Sequence, residues 1–157
     1  MKNCSTFLFI SLLIAGVAGC SDGRPTRVPV SGQVLIDGKP LTRGDVRFIS
    51  AVGRAAQGSL DNEGRFHLTC YEENDGALLG THKVSITSAV GMGPHATRWF
   101  APKKYSDCRT SGLTQEIAGP TDDLVINITW AGGHEFIDKE LGATGGGDEG
   151  IHGITKK

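Results

Sequence analysis

Cys20 carries the most specific chemistry in this 157-residue chain. It follows Val17-Ala18-Gly19 at the end of an apolar run from Phe7 to Ala18, and Lys2 places a positive charge ahead of that run. Small residues at 18 and 19 put a nucleophilic thiol directly behind the apolar run, where a short positive region and an apolar stretch read as a signal peptide. The run is a dozen residues long, short of the roughly 20 that an ordinary membrane-spanning helix needs.

The remaining reactive side chains are less specific. With Cys4 in the apolar leader and Cys20 acylated, Cys70 and Cys108 are left as an even pair in an oxidising setting, which makes them a candidate disulfide. Such a bridge would contribute about 3 to 4 kcal/mol in the loop-entropy picture. The alternative is two free thiols too far apart to join. His67, His82, His95, His134 and His152 never reach the His-Glu-x-x-His or paired Cys-x-x-Cys spacing that puts several ligands on one element. No metal or other cofactor is therefore expected, and His67 and His82 are expected to be outward strand residues. Asp61-Asn62-Glu63 gathers oxygens, but Arg65, Phe66 and His67 stand where a calcium loop needs further ligands, so this stretch reads as a turn. Ser59, Ser85 and Ser111 lack the Gly-x-Ser-x-Gly elbow that exposes a nucleophile. No catalytic residue is assigned, and the chain is not expected to be an enzyme. Trp99, Phe100 and Tyr105 are candidates for a contact platform on which a ligand could stack; the competing reading is that they cover an open end of the core.

Val17-Ala18-Gly19-Cys20 resembles the bacterial lipobox. The resemblance implies a lipoprotein signal peptide over 1–19 and a lipid anchor on Cys20, where two or three acyl chains of the palmitate kind exceed the reversible hold of a single chain. Ser21 in place of Asp favours the outer over the inner membrane, so the chain is expected in the cell envelope. Residues 20–27 read as a tether. The formal charge is -1, from 16 Lys and Arg against 17 Asp and Glu, which supplies no basic field for phosphate-dominated nucleic-acid binding.

The elements that must carry these residues follow from alternation. Val28, Val30, Val34 and Ile36 share one face with Gly32 among them, a period of two that a helix would scramble, and Gly32 marks a bulge or a close approach. Asp37-Gly38-Lys39-Pro40 is turn chemistry. Asp45–Ile49, then Arg54–Leu60 as an edge strand, then Phe66–Thr69 after the Asp61–Gly64 turn, continue the pattern. Thr81–Thr87 puts Val84 and Ile86 inward. Ser111–Ile117 and Asp122–Trp130 close the body, with Leu124, Ile126, Ile128 and Trp130 on one face. The fold predicted for 28–130 is all-β, a small seven-stranded antiparallel β-sandwich with a Greek-key arrangement. Gly91–Cys108 is too aromatic for a solvated linker and too broken for a helix, so it should fold over one end. Residues 131–157 hold eight glycines and few apolar residues, and a flexible tail is expected there, disordered from about residue 133.

Val30-Ser31-Gly32-Gln33-Val34, Asp37-Gly38-Lys39-Pro40-Leu41, Val46-Arg47-Phe48, Asp61-Asn62-Glu63-Gly64-Arg65-Phe66, Asp75-Gly76-Ala77, Gly80-Thr81-His82-Lys83-Val84 and Pro102-Lys103-Lys104-Tyr105 occur in that order. Together they resemble a bacterial lipoprotein family with a carboxypeptidase regulatory-like, or transthyretin-like (prealbumin-like), domain. The resemblance covers roughly Val28 to Thr129 and implies a β-sandwich accessory module without an established activity. Two expectations follow. One is a membrane-anchored, non-catalytic binding or structural module whose partner is an envelope protein or glycan. The other is an accessory or assembly subunit, a spacer, for an exported enzyme or transporter.

Overall fold

The computed structural model of the chain describes residues 23–139. The expected signal peptide, Cys20 and residues 140–157 of the expected tail lie outside the described residues. Alternating burial produces the strands β1 (Arg27–Val28), β2 (Val30–Ile36), β3 (Lys39–Pro40), β4 (Asp45–Ser50), β5 (Ala56–Ser59), β6 (Arg65–His67) and β7 (Ala77–Leu78). After them come β8 (Gly80–Thr87), β9 (Ala89–Gly91), β10 (Ala96–Trp99), β11 (Leu113–Ile117), β12 (Thr121–Ile128) and β13 (Phe136–Lys139), with a short 3-10 turn at Lys103–Ser106.

Two sheets face each other across one core, in a sandwich-like all-β body. One has the order β11-β8-β4-β5; in the other β2 is central, with β12 on one side and β6 and β3 sharing the other. Val30, Val34, Phe66, Ile126 and Ile128 come from the second sheet to meet Val46, Phe48, Val84, Ile86 and Ile117 from the first. Burying each such side chain contributes about 1.5 to 3 kcal/mol. Gly32 is a close approach: a Cβ there would overlap the Leu124 carbonyl, and the irregularity in register lies on the partner strand, between Thr121 and Leu124. The Asp61–Gly64 turn is tied by the Asp61 carboxylate, which accepts from the backbone N–H groups of Glu63 and Arg65 at 2.8 Å each. That leaves the carboxylate working as a turn cap.

Four sequence expectations need correction. The sandwich is not wholly antiparallel, because β12 runs parallel to β2. A parallel pair demands a long crossover, and here everything between the first long strand and the last serves as one. The Gly91–Cys108 connection is not free of strands: β10 lies within it and pairs with β9 to start a third sheet, β13-β10-β9. The flexible tail does not begin at 131 or 133, since Phe136–Lys139 pairs antiparallel with Ala96–Trp99. Phe136 secures that strand by stacking on Trp99, centroids 6.5 Å apart, while meeting Trp130 edge-on at 6.4 Å. Finally, His82 points inward and is 1% exposed. Its Nε2 lies 2.8 Å from the Leu78 carbonyl oxygen and its ring meets Phe48 at 5.9 Å. His67 does face outward.

Candidate functional site

The outer face of the β11-β8-β4-β5 sheet carries a cluster of polar side chains. Because Val46 and Phe48 point into the core, Asp45 and Arg47 must point out. Arg47 is paired across the strands with Gln57 on β5, and Gln57 is bridged to Thr69, so the three form a row at roughly 5 Å steps. A second row, two residues along, carries Thr87, Asp45 and Ser59, with the Ser59 hydroxyl donating to Asp45 at 2.7 Å. His67 and the loop residues Glu73 and Asn74 wall the far side, enclosing a groove of about 800 Å³. The Thr69 hydroxyl oxygen accepts the Asn74 N–H at 3.0 Å, fixing that wall. A smaller hollow of about 240 Å³ adjoins it, shares Arg47, Gln57 and Thr69, and adds Arg54 and Tyr71.

The loop that forms this wall is held by Asp75. Its carboxylate accepts from the backbone N–H groups of Cys70 at 2.6 Å, Tyr71 at 3.1 Å and Glu72 at 3.1 Å, and pairs with Arg27 at 2.8 Å. Burial alone would push this carboxyl up, but the three N–H donors and the Arg27 guanidinium together hold it below the usual carboxylate range. Arg24 adds a 3.1 Å ion pair to Glu72. Arg24, Arg27 and Arg54 all lie over the Tyr71 ring, at 5.2, 5.0 and 5.8 Å from its centroid. Residues 24–27, read from sequence as part of a loose tether, are thereby fastened to the body.

The cysteine pair is not joined: Cys70 and Cys108 are free. Cys70 follows Thr69, which is bridged to β5 at one edge of the sheet, whereas the turn carrying Cys108 leads into β11 at the other. Three interstrand steps of about 4.8 Å separate those edges, against the 7 Å or less between Cα atoms that a bridge requires. The Cys70 Sγ contacts the Arg54 carbonyl oxygen at 3.4 Å, and burial, with the neighbouring Asp75 charge, pushes its thiol up. Cys108 sits between Asp107 and Arg109, whose hydrogen bonds hold the Asp107 carboxyl down at about 2.

Trp99, Phe100 and Tyr105 do not form one open face. Tyr105 is 5% exposed, within the core, its hydroxyl 3.4 Å from both the carbonyl oxygen and the nitrogen of Thr129. Phe100 lies beneath Arg43 and Arg98, at 4.6 and 5.0 Å. Trp99 is half-buried, with Lys103 over its ring at 5.7 Å, Phe136 stacked on it and its Nε1 without a hydrogen-bond partner. Trp99→Ala is expected to cost about 1 to 2 kcal/mol, part of the value for a fully buried aromatic, and to raise amide exchange at Phe136–Lys139 first. Unchanged exchange in that strand would show that Phe136 holds without its stacking partner.

Among the described residues no three His, Cys, Asp or Glu side chains come together as a metal site. Ser59 and Ser111 are occupied in hydrogen bonds, to Asp45 and to the Val84 carbonyl at 2.6 Å. Sequence reading missed the groove because its members come from five separated segments; the one available signal was the run of outward polar positions between inward ones, Asp45 and Arg47, then Gln57 and Ser59. No family model matches the chain, and no curated protein or solved structure matches it either. The likeness to carboxypeptidase regulatory-like domains thus rests on the ordered turn and strand motifs alone.

Proposed function

We propose that the chain is an exported lipoprotein, held at the cell envelope through acylated Cys20, whose β body acts as a non-catalytic binding module. The observation that carries this is Val17-Ala18-Gly19-Cys20 closing a dozen-residue apolar run. The fastening of Arg24 to Glu72 and Arg27 to Asp75 supports it, because it leaves only a few residues between anchor and body. Four residues extended span at most about 14 Å, so the body rides close to the lipid surface. The polar groove, with cations, carboxylates, amides and hydroxyls on one flat face, suits recognition of a hydrophilic partner such as an envelope glycan or protein. Outer-membrane placement, the reading of Ser21, belongs to the same proposal.

The test is Cys20→Ser in the native host. Wild-type protein is expected in the membrane fraction and in the detergent phase on partitioning. The variant is expected uncut before residue 20 or released in soluble form, since the thioether cannot form. A variant that is cut before residue 20 and still retained in the membrane as fully as wild type would overturn the anchor.

A further inference from the structure

We propose that the outer face of the β11-β8-β4-β5 sheet binds an acidic saccharide, with Arg47 and Arg54 taking its carboxylates and Asp45 and Glu73 accepting from its hydroxyls. This rests on the reading of the body as a binding module and names the ligand class for it. Arg47 and Arg54 stand exposed along the same hollow, and neither has a carboxylate partner there. By contrast, Arg24, Arg27, Arg65, Arg98 and Arg109 are each matched to an acidic side chain, and Arg43 lies over the Phe100 ring. A guanidinium fork without a carboxylate partner is suited to a planar carboxylate, which it can hold through two parallel hydrogen bonds.

Charge alone does not describe the face. Asp45 and Glu73 line the same groove, and only one oxygen of Asp45 is engaged, by Ser59. These carboxylates repel a ligand whose oxygens are chiefly anionic, such as inorganic phosphate or sulfate. They favour one that brings O–H donors. Gln57, opposite Arg47, offers both a donor and an acceptor, and the Thr69 oxygen, accepting from Asn74, leaves its O–H to donate. An extended peptide is less well matched, since the edge of β5 that it would join is already bridged to Thr69. A ligand that carries both hydroxyls and carboxylates meets the whole set.

The experiment titrates the purified full chain, in detergent micelles, with trigalacturonate as the probe. A neutral trisaccharide, inorganic phosphate and soluble glycerol 3-phosphate serve as comparisons. Trigalacturonate should bind, weakening as salt rises, and Arg47→Gln and Arg54→Gln should each lower affinity about tenfold or more. Arg65→Gln, outside the groove, should leave it unchanged. The inference is overturned by no binding of trigalacturonate, by equal affinity for the neutral sugar, by phosphate or glycerol 3-phosphate competing as well as the saccharide, or by an Arg65→Gln loss equal to that of Arg47→Gln. None of these readouts depends on Cys20 acylation, so failure here is separable from failure of the lipid anchor.

Discussion

Gly76→Ala should lower unfolding free energy by about 2 to 4 kcal/mol, with a matching fall in the urea midpoint. Gly76 has φ +87°, which alone costs an L residue about 1 kcal/mol or more. A Cβ there would also overlap the Val28 carbonyl oxygen and crowd Pro29, backbone that cannot step aside without parting β1 from β7. Its N–H donates to the Leu68 carbonyl at 2.9 Å, so the strain reaches the chain leading from β6. Gly38→Ala is the comparison: φ is similar, +77°, but nothing lies within 4 Å of the new methyl. That variant should lose only the conformational part, about 1 kcal/mol. Equal losses would mean that the backbone contact at Gly76 carries no weight.

Asp75→Asn is expected to cost about 2 kcal/mol at neutral pH. The carboxylate is the common acceptor for three backbone N–H groups and faces Arg27, with its side chain only 13% exposed. An amide keeps the shape and one acceptor but loses the charge. Because the folded carboxyl lies below its unfolded value, its contribution is complete above roughly pH 4 and is lost as pH falls through the lower, folded value. Wild type should therefore converge on Asp75→Asn in stability as the solution is acidified below about pH 4, and the two should stay apart at pH 7. A gap that persists unchanged at low pH would indicate that the ionised form is not what matters. The variant should also loosen residues 24–27 from the body, which would lengthen the effective tether.

Much of the core was legible in the sequence. Val30 and Val34, Val46 and Phe48, Phe66 and Leu68, and Ile126 and Ile128 fall on the inward face that their period of two predicts, and all are buried. Gly32 was legible as a close approach, though not which strand came near it. The direction of β12 was not, because alternation says which face is buried and nothing about whether a neighbour runs parallel. His82 was legible and misread: it shares parity with Val84 and Ile86, and a polar label outweighed a period that already placed it inside. Phe136 was discounted in a glycine-rich stretch, yet two tryptophans from distant segments were available to pair with it. The groove escaped for a related reason. Arg47, Gln57, Thr69 and Glu73 become neighbours only through strand pairing and a loop held by Asp75, and neither is encoded at short range.

The aromatic trio shows the same limit in reverse. Trp99, Phe100 and Tyr105 look like a cluster because they are close in sequence, but a strand, a loop and a 3-10 turn send them to three environments. Tyr105 belongs to the core and Phe100 to a pair of guanidinium groups. The polar face, rather than this end of the body, is where exposed cations, carboxylates and amides converge.

The most direct measurement is the mass of the N-terminal peptide from protein extracted out of native membranes. The account predicts a first residue at Cys20 carrying a diacylglycerol thioether, with or without a further acyl group on its nitrogen. A mature chain that begins elsewhere, or one that begins at Cys20 with a free thiol in the soluble fraction, would contradict it.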